Sequence, residues 1–460
     1  MIRSPARVLF VLLLVAYGYF WAPRGPGAQS RMAHVVSIVA HGTNTIDRYR
    51  NITPDWSVRD GRYYSNKAPG MALLCVPVYL PLYHVERWIG RDPLDSDSEL
   101  WWSNQMLVNG AVNGPITALG ALALLAVLMR LGAPEPRATL AAVAYGLATP
   151  VLPFTTSLHS HGMVAAFLAF ALYFLLVRPR LEVAGLFCGL ATLSEYVAVV
   201  PTVLIAAWVA VERRSWRDVA RFCAGGLPML AIYAAYHAVC FGNPLTTAYA
   251  FQDPSGMRPG GEGLSGFLEV PGVGRPLQML FGPHRGLFFH CPLLLLAVPG
   301  LAMLWRRGER RLAALSAAVP LGFLAVTGFW LMWAGGTTIG PRFLIPSIPF
   351  LMLGVSEAMG RWPRAALGLA AVSFANAFAM AAVQLLVLQS VASPMTAVVW
   401  PQFARGVLDH DSLGKRLGLP GLLSLVPLLA IGGVLAHRLR KMVRPKSPQS
   451  SVLSPQSGPP

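Results

Sequence analysis

The chain has 460 residues, of which 55% are hydrophobic and 12% are charged, and its formal net charge is +17. Soluble globular domains carry about 25% charged residues, so this composition excludes an ordinary soluble enzyme, a disordered protein and a fibrous protein. In a soluble domain the basic excess would suggest nucleic acid. In a membrane protein, lysine and arginine gather on the cytoplasmic side instead. We therefore predict an all-α polytopic membrane protein with the lipid bilayer, and no nucleic acid, as partner.

The apolar runs predict the spanning helices in chain order. The first, 8–22, lacks a clear small-x-small cleavage site, which favours a retained helix over a signal peptide. A span needs about 20 residues, so run 183–211 is too long for one helix and predicts a short helical hairpin with Glu195 at its tip. The other apolar runs lie at roughly 107–129, 138–156, 161–177, 219–241, 287–305, 312–334, 343–359, 365–391 and 417–436.

The distribution of lysine and arginine predicts which way the helices run. If segment 71–88 lies in the interface without crossing, the strongly basic loop 306–311 falls on the cytoplasmic side with both termini. We expect about 12 spanning helices in one membrane domain over 1–440, and a disordered cytoplasmic tail over 441–460. This topology places three long loops outside, at about 23–106, 242–286 and 392–416.

The first of these outer loops has an unusual mixture of side chains. Segment 41–70 combines Asp47, Asp55 and Asp60 with five cations and with aromatic side chains that include Tyr63 and Tyr64. Carboxylates can act as a base, cations can hold a phosphate, and aromatic rings can stack on sugar faces. Beside a membrane, the mixture favours a reaction on a lipid-linked phosphate. The plain alternative is a solvated loop of paired charges.

Further polar residues fall on the same outer side. His159 and His161 begin a helix, and Arg285 and Arg342 lie beside glycines that permit a ligand to approach the backbone closely. The two histidines are two residues apart and would point to different faces of a helix, so they do not predict a zinc site by themselves. With Glu195, these residues predict a site on the outer face. The sequence contains no P-loop and no GxSxG motif.

The motifs of the first outer loop resemble those of the GT-C class of membrane glycosyltransferases. This class includes the protein O-mannosyltransferases, the lipid A aminoarabinose transferases and many bacterial relatives. The likeness extends over roughly 7–390, and the runs 285–292 and 335–342 contribute to it. The motifs of the first loop are Gly42-Thr43, Ile46-Asp47, Thr53-Pro54-Asp55, Asp60-Gly61, Tyr63-Tyr64-Ser65 and Lys67-Ala68-Pro69-Gly70.

The resemblance implies a mechanism and a set of site residues. It implies inverting transfer of a sugar, hexosyl or pentosyl, from a polyprenyl-phosphate donor to a glycan, lipid or protein acceptor. The transfer would occur on the outer face of a bacterial cytoplasmic membrane. Asp47 is the first choice for the general base and Asp55 the second. The acidic pair that often follows the first helix in this class is replaced here by Gln29-Ser30-Arg31, so the base is not assigned there and the choice between Asp47 and Asp55 stays open. Phosphate contacts are implied for Lys67, Arg285 and Arg342, and donor or acceptor contacts for Arg31, Asp60, Tyr63, Tyr64, His159, His161 and Glu195.

Other functions stay open from the sequence alone. One is a transporter or flippase of lipid-linked saccharides, although no two-half repeat is present and polar residues are few at mid-membrane. Another is a polymerase or ligase that moves whole glycans from a polyprenyl carrier. No metal ligands are predicted, and a requirement for a divalent cation stays open because members of the resembled class differ on it.

Overall fold

A computed structural model describes residues 4–22, 25–252, 272, 274–330 and 333–443 of the chain. The predicted all-α class is confirmed, since only four short strands accompany the helices of the described residues. The first ten helices are α1 Pro5–Tyr19, α2 Pro26–His41, α3 Gly70–Trp88, α4 Glu99–Arg130, α5 Glu135–Leu147, α6 Val151–Thr155, α7 Ser160–Leu176, α8 Leu181–Ser194, α9 Val199–Arg213 and α10 Trp216–Phe241. The remainder are α11 Gly274–Phe281, α12 Leu287–His290, α13 Ala297–Arg306, α14 Arg310–Gly328, α15 Ile348–Arg361, α16 Pro363–Ala382, α17 Trp400–Ala404, α18 Leu413–Arg416 and α19 Val426–Val443.

Several of these helices have the length and composition of membrane spans. Within the described chain, seven helical segments are long and apolar enough to cross a membrane, and four shorter apolar helices accompany them. The longer segments are Glu99–Arg130, Tyr196–Arg213, Trp216–Phe241, Arg310–Gly328, Arg342–Arg361, Pro363–Ala382 and Gly421–Val443, and the shorter ones are Pro5–Tyr19, Ser160–Leu176, Leu181–Ser194 and Pro292–Arg306. The count of about 12 spans and the interfacial position of α3 stay predictions. The predicted tail lies outside the described residues from 444 onward.

Two long apolar runs are not continuous helices in the structure. Run 183–211 is a helical hairpin, as predicted, in which Glu195 lies between the end of α8 and a short 3-10 turn, Tyr196–Ala198. Run 365–391 differs from the prediction, because α16 ends at Ala382 and the following residues pair with a loop. In that pairing the Ile339 amide donates to the Leu385 carbonyl at 2.8 Å, and Thr338 forms an isolated bridge with Leu386.

The stretch 23–70 contains structure that hydropathy did not predict. Helix α2 begins at Pro26 and buries polar side chains, among them Ser30, Arg31 and His34, beside apolar ones such as Met32 and Val35, so polar residues interrupt its apolar pattern. A short 3-10 helix, Asp47–Ile52, follows it. Strands β2 (Trp56–Arg59) and β3 (Arg62–Ser65) then form an antiparallel hairpin before α3.

Small residues allow the central helices to pack closely. A Cβ added at Gly120 of α4 would lie 2.4 Å from the Cβ of Ala166 in α7, and one added at Gly185 of α8 would lie 1.8 Å from the Phe222 carbonyl oxygen of α10. Close approach through small residues is the usual way for helices to associate in a membrane. These contacts make α4, α7, α8 and α10 one packed unit. The candidate site lies at one end of this unit.

The first and last described helices also contact each other. Strand β1 (Phe20–Trp21), directly after α1, pairs antiparallel with β4 (Asp411–Ser412). Tyr19 donates a hydrogen bond to the Ser424 carbonyl near the start of α19, and α1 packs along α19. The two ends of the described chain are therefore joined at one side of the molecule.

Candidate active site

An ion pair joins Asp55, directly before the β2–β3 hairpin, to Lys67, which follows it. The Lys67 ammonium lies 2.9 Å from an Asp55 carboxylate oxygen, and the side chains are 11% and 27% exposed. Burial alone would raise the pKa of Asp55, but the Lys67 charge and the Arg342 charge outweigh it and hold the pKa below its ordinary value. Burial lowers the pKa of Lys67, with the charge of Arg342 adding to the effect and that of Asp55 opposing it.

A second chain of contacts begins at Arg31 of α2. Its guanidinium donates to the Ser160 hydroxyl at 3.0 Å and to the Gly27 carbonyl at 3.1 Å. Ser160 in turn donates to a Glu195 carboxylate oxygen at 3.0 Å. The same oxygen lies 3.8 Å from Nε2 of His161. The start of α7 and the tip of the α8–α9 hairpin thus meet at Arg31.

Gly27 brings these two groups of contacts together. A Cβ at this position would lie 3.2 Å from Cε of Lys67, and 3.4 Å from both an Arg31 nitrogen and an Asp55 oxygen. Gly27 thus lies against all three side chains, and a larger residue there would press on Lys67. We call the residues Arg31, Asp55, Lys67, His161, Glu195 and Arg342 the charged cluster.

Arg342 joins the charged cluster from the other half of the molecule. It begins a 3-10 turn, Arg342–Ser347, that leads into α15, and its guanidinium lies over the Phe343 ring at 4.7 Å. The preceding loop has positive φ angles at Gly335, Gly336 and Gly340. A Cβ at Gly335 would lie 2.7 Å from Nε of Arg342. The glycines therefore provide both the left-handed backbone and the room that Arg342 occupies.

Arg285 donates hydrogen bonds to backbone carbonyls of the loop that precedes Arg342. It is 3% exposed, and its guanidinium donates to the carbonyls of Gly336 at 2.8 Å, His284 at 3.0 Å and Ala334. Burial and the Arg342 charge lower the pKa of Arg285, but a guanidinium still carries its charge at neutral pH. All three of its nitrogens are occupied by the protein. Arg285 thus positions the loop of Arg342 in this structure, and its predicted phosphate contact stays untested.

His159 lies at the break between α6 and α7. It is 3% exposed, and its Nδ1 hydrogen-bonds to the Ser157 hydroxyl. The amide of Asn113 in α4 donates to the carbonyls of Ser157 and His159, both at 3.2 Å, and to that of Thr155 at 3.4 Å. A single buried side chain thus fixes the turn that presents His159 and, one residue later, Ser160.

The other residues predicted in the first loop lie outside the charged cluster. Asp47 accepts the backbone amide of Tyr63 at 2.7 Å and the Arg62 guanidinium at 2.8 Å. Asp60 has φ +50° and precedes Gly61 at +73°, the two left-handed residues of a type I′ hairpin turn. In this structure the Asp47 carboxylate therefore holds the hairpin, and the backbone of Asp60 forms its turn.

The two adjacent tyrosines have packing contacts. The Tyr63 ring packs edge-on against Trp56 at 5.0 Å, and the Arg50 guanidinium lies over it at 5.2 Å. The Tyr64 ring contacts Phe241 at the end of α10, 5.2 Å away. These contacts anchor the hairpin to the helices, and the predicted sugar contacts of both tyrosines stay untested.

Two residues of the site were missed by sequence reasoning. Ser160 bridges Arg31 and Glu195, and Tyr249 lies in a short 3-10 turn, Ala248–Phe251, after α10. Burial raises the pKa of the Tyr249 hydroxyl, and the charge of Glu195 adds to the shift. Ser160 could have been suspected, since it stands between the two predicted histidines. Tyr249 had no sequence signal of its own.

Several buried polar atoms without a hydrogen-bond partner lie in the charged cluster. They include Nε of Arg31, Nε of Arg342 and both ring nitrogens of His161. Buried polar groups are almost always satisfied, so such atoms mark a place where a ligand or water completes the bonding. The two arginine nitrogens are cationic donors, which suit an anionic ligand.

The described residues contain no group of three or more histidine, cysteine, aspartate or glutamate side chains placed to hold a metal ion. The two acids of the charged cluster have protein partners. Asp55 pairs with Lys67, and Glu195 accepts from Ser160. The requirement for a divalent cation left open by the sequence is not tested by this arrangement.

Fold and site together define a class: a polytopic helical membrane protein with a buried, partly unsatisfied cationic site between its first loop and its helix ends. The fold resembles that of ArnT from Cupriavidus metallidurans, solved bound to undecaprenyl phosphate. The alignment covers 95% of this chain and 74% of that one, with a TM-score of 0.51 and 16% sequence identity. The apo structure of the same ArnT aligns over 94% and 73%, with a TM-score of 0.48 and 16% identity.

The first of these alignments shows that the two proteins share a fold over nearly the whole of this chain. ArnT is an aminoarabinose transferase of the GT-C class, so the resemblance seen in the motifs of the first loop is confirmed at the level of the fold. No protein-family model and no curated protein sequence matches the chain.

Proposed function

We propose that this protein is an inverting glycosyltransferase that uses a polyprenyl-phosphate sugar as donor. The observation that carries the proposal is the charged cluster, with its unpartnered buried donors, in a fold shared with a protein solved with undecaprenyl phosphate bound. The site is proposed to face the outside of a bacterial cytoplasmic membrane, with both termini inside. The acceptor is a glycan, a lipid or a protein.

Lys67, Arg31 and Arg342 are proposed to bind the donor phosphate. Against Asp55 and Glu195 these three cations leave a net positive charge at the site, before any histidine is protonated. When the glycosidic bond breaks, negative charge grows on the phosphate that leaves. Fixed cations then stabilise the transition state more than the ground state, which is the requirement for catalysis.

Asp55 is proposed as the base through an exchange of partners at Lys67. In the resting site the carboxylate is held by the Lys67 ammonium at 2.9 Å, which weakens it as a base. A phosphate that binds Lys67 competes for the same ammonium and releases the carboxylate toward the acceptor hydroxyl. Asp47, the first choice from the sequence, is engaged by Arg62 and by a backbone amide, so it stands second in this proposal.

The test is transfer of a labelled sugar by the full chain in nanodiscs. Radiolabelled polyprenyl-phosphate mannose, glucose, galactose and arabinose are supplied with a membrane extract as acceptor. We expect transfer with the wild type and with Lys441→Met, an exposed lysine in α19, and at least tenfold less transfer with Lys67→Met at limiting donor. Movement of a labelled donor across the bilayer of sealed proteoliposomes, without transfer, would favour the transporter or flippase instead, and transfer of whole glycans would favour a ligase.

A further inference from the structure

A polar cavity lies at the opposite end of the helices from the charged cluster. Helix α7 begins beside the cluster at Ser160 and ends at Leu176, which lines this cavity. Its 17 residues span about 25 Å at 1.5 Å per residue. Helix α9 runs in the same direction and contributes Glu212 and Arg213 at its end. The two sites are therefore separated by about the thickness of a membrane's hydrocarbon core.

The cavity has the size and lining of a headgroup site. Its volume is about 560 Å³, and its walls carry four arginines and two glutamates beside apolar side chains that include Leu175 and Trp208. The indole nitrogen of Trp208 is buried and has no hydrogen-bond partner. This combination provides cationic donors for an anion and an apolar wall for the chain attached to it.

The charges of the cavity are unequally paired. Arg311 forms an ion pair with Glu212 at 3.2 Å. Arg130, Arg213 and Arg310 have no ion-pair partner within 4 Å among the residues that the structure describes, and Glu309 is the one acid left to face them.

Helix ends explain part of this pattern. Arg130 and Arg213 are in the last turns of α4 and α9, where a cation is favoured by the helix dipole. That effect accounts for each arginine separately. It does not account for their convergence with Arg310, which begins α14, around one cavity. A cation at a helix start is unfavourable unless an anion compensates for it.

We propose that this cavity binds the phosphate headgroup of an anionic phospholipid. Arg130, Arg213 and Arg310 would contact the phosphate, and the Trp208 indole would donate to the glycerol or phosphate oxygens. Basic pockets between the ends of membrane helices are recognised sites for anionic lipid headgroups. The proposal does not depend on the reaction at the charged cluster.

The experiment measures retention of lipid by the full chain purified in detergent, using native mass spectrometry. The protein is titrated with phosphatidylglycerol, with phosphatidylcholine of the same acyl chains, and with inorganic phosphate. We expect preferential retention of phosphatidylglycerol by the wild type. Each arginine lost should weaken it about fivefold, so Arg130→Gln/Arg213→Gln/Arg310→Gln should weaken it on the order of 100-fold.

The matched control removes three arginines outside the cavity, as Arg361→Gln/Arg364→Gln/Arg440→Gln, and should retain the preference. If the triple cavity variant does not fold, Arg213→Gln and Arg310→Gln singly should show the graded loss. Equal retention of both lipids by the wild type, or unchanged retention by the cavity variants, would overturn the proposal. Occupancy by inorganic phosphate that displaces phosphatidylglycerol at equal concentration would assign the cavity to a free anion and overturn it as well.

Discussion

Lys67 illustrates how one side chain can serve two states of a site. In the structure it neutralises Asp55, which makes burial of that carboxylate tolerable. In the proposed reaction it turns to the donor phosphate. The free energy of the resting ion pair therefore opposes donor binding, and the carboxylate becomes available only when the donor is present.

The two candidate bases are distinguished by their contacts. Asp55→Asn should lower kcat by about 10²–10⁴-fold, the usual contribution of a general base, because Asn keeps the shape but accepts no proton. Asp47→Asn should leave kcat within a few-fold and lower the free energy of unfolding by about 1–3 kcal/mol, because the bonds to Arg62 and the Tyr63 amide are weakened. Steady-state transfer kinetics and thermal unfolding of both variants provide the comparison. The opposite pattern would return the role of base to Asp47.

The depressed pKa values of the pair predict an asymmetric pH profile. Because the pKa of Asp55 lies below its ordinary value, the carboxylate stays ionised as the pH falls from 8 to 5. The stability it contributes is present above the unfolded pKa of about 3.9 and is lost only as the pH falls through the still lower folded value. The acid side of kcat/KM should therefore show no Asp55 titration above pH 5.

On the alkaline side, the depressed pKa of Lys67 predicts a loss of donor use below the ordinary lysine value of about 10.4. Lys67→Arg keeps a cation at higher pH, because a guanidinium does not titrate there. The alkaline limb of kcat/KM measured at limiting donor should move upward in this variant. An alkaline limb that is identical in wild type and Lys67→Arg would mean that another group titrates.

At the scale of elements, two glycines in the loop between α14 and α15 have different roles that can be tested. Gly335 and Gly336 have similar left-handed φ angles, +73° and +67°, but only Gly335 lies against Arg342. Alanine at either position should cost about 1–2 kcal/mol of backbone strain. Gly335→Ala should in addition displace Arg342 and raise the KM for donor several-fold more than Gly336→Ala. Donor titrations of the two variants, compared at matched stability, test this difference in KM. Equal KM values would contradict a role for Arg342 in donor binding.

Elements defined by apolar periodicity were the predictable ones. The division of run 183–211 at Glu195 followed from its length and from the charges at its ends. Helix α2 was not predicted, because it buries polar side chains such as Arg31 and His34 that only tertiary contacts explain. For the same reason Arg31 was placed in the site by resemblance, while its bond to Ser160 could not be derived from a linear pattern.

At the scale of the whole molecule, the direction of the helices follows the positive-inside rule and remains a prediction. The native thiols suit a labelling test, because Cys223 is exposed and the other four cysteines are buried. In a Cys223→Ser background, Arg310→Cys should be protected from a membrane-impermeant thiol reagent in intact cells, and Asp95→Cys should be labelled. Permeabilised cells supply the control for reactivity. Labelling of Arg310→Cys in intact cells would invert the topology.

The contact between α1 and α19 cannot form until the end of the chain has been synthesised. Strand β1 ends at Trp21 and its partner β4 begins at Asp411, about 390 residues later. At 5–20 residues per second, a ribosome needs roughly 20–80 s to produce that interval. During that interval α1 lies in the bilayer with lipid where α19 will later pack, and the packed unit of α4, α7, α8 and α10 forms. The last helix then closes the assembly, so truncation at the C-terminus should leave a protein that inserts but is cleared by quality-control proteases.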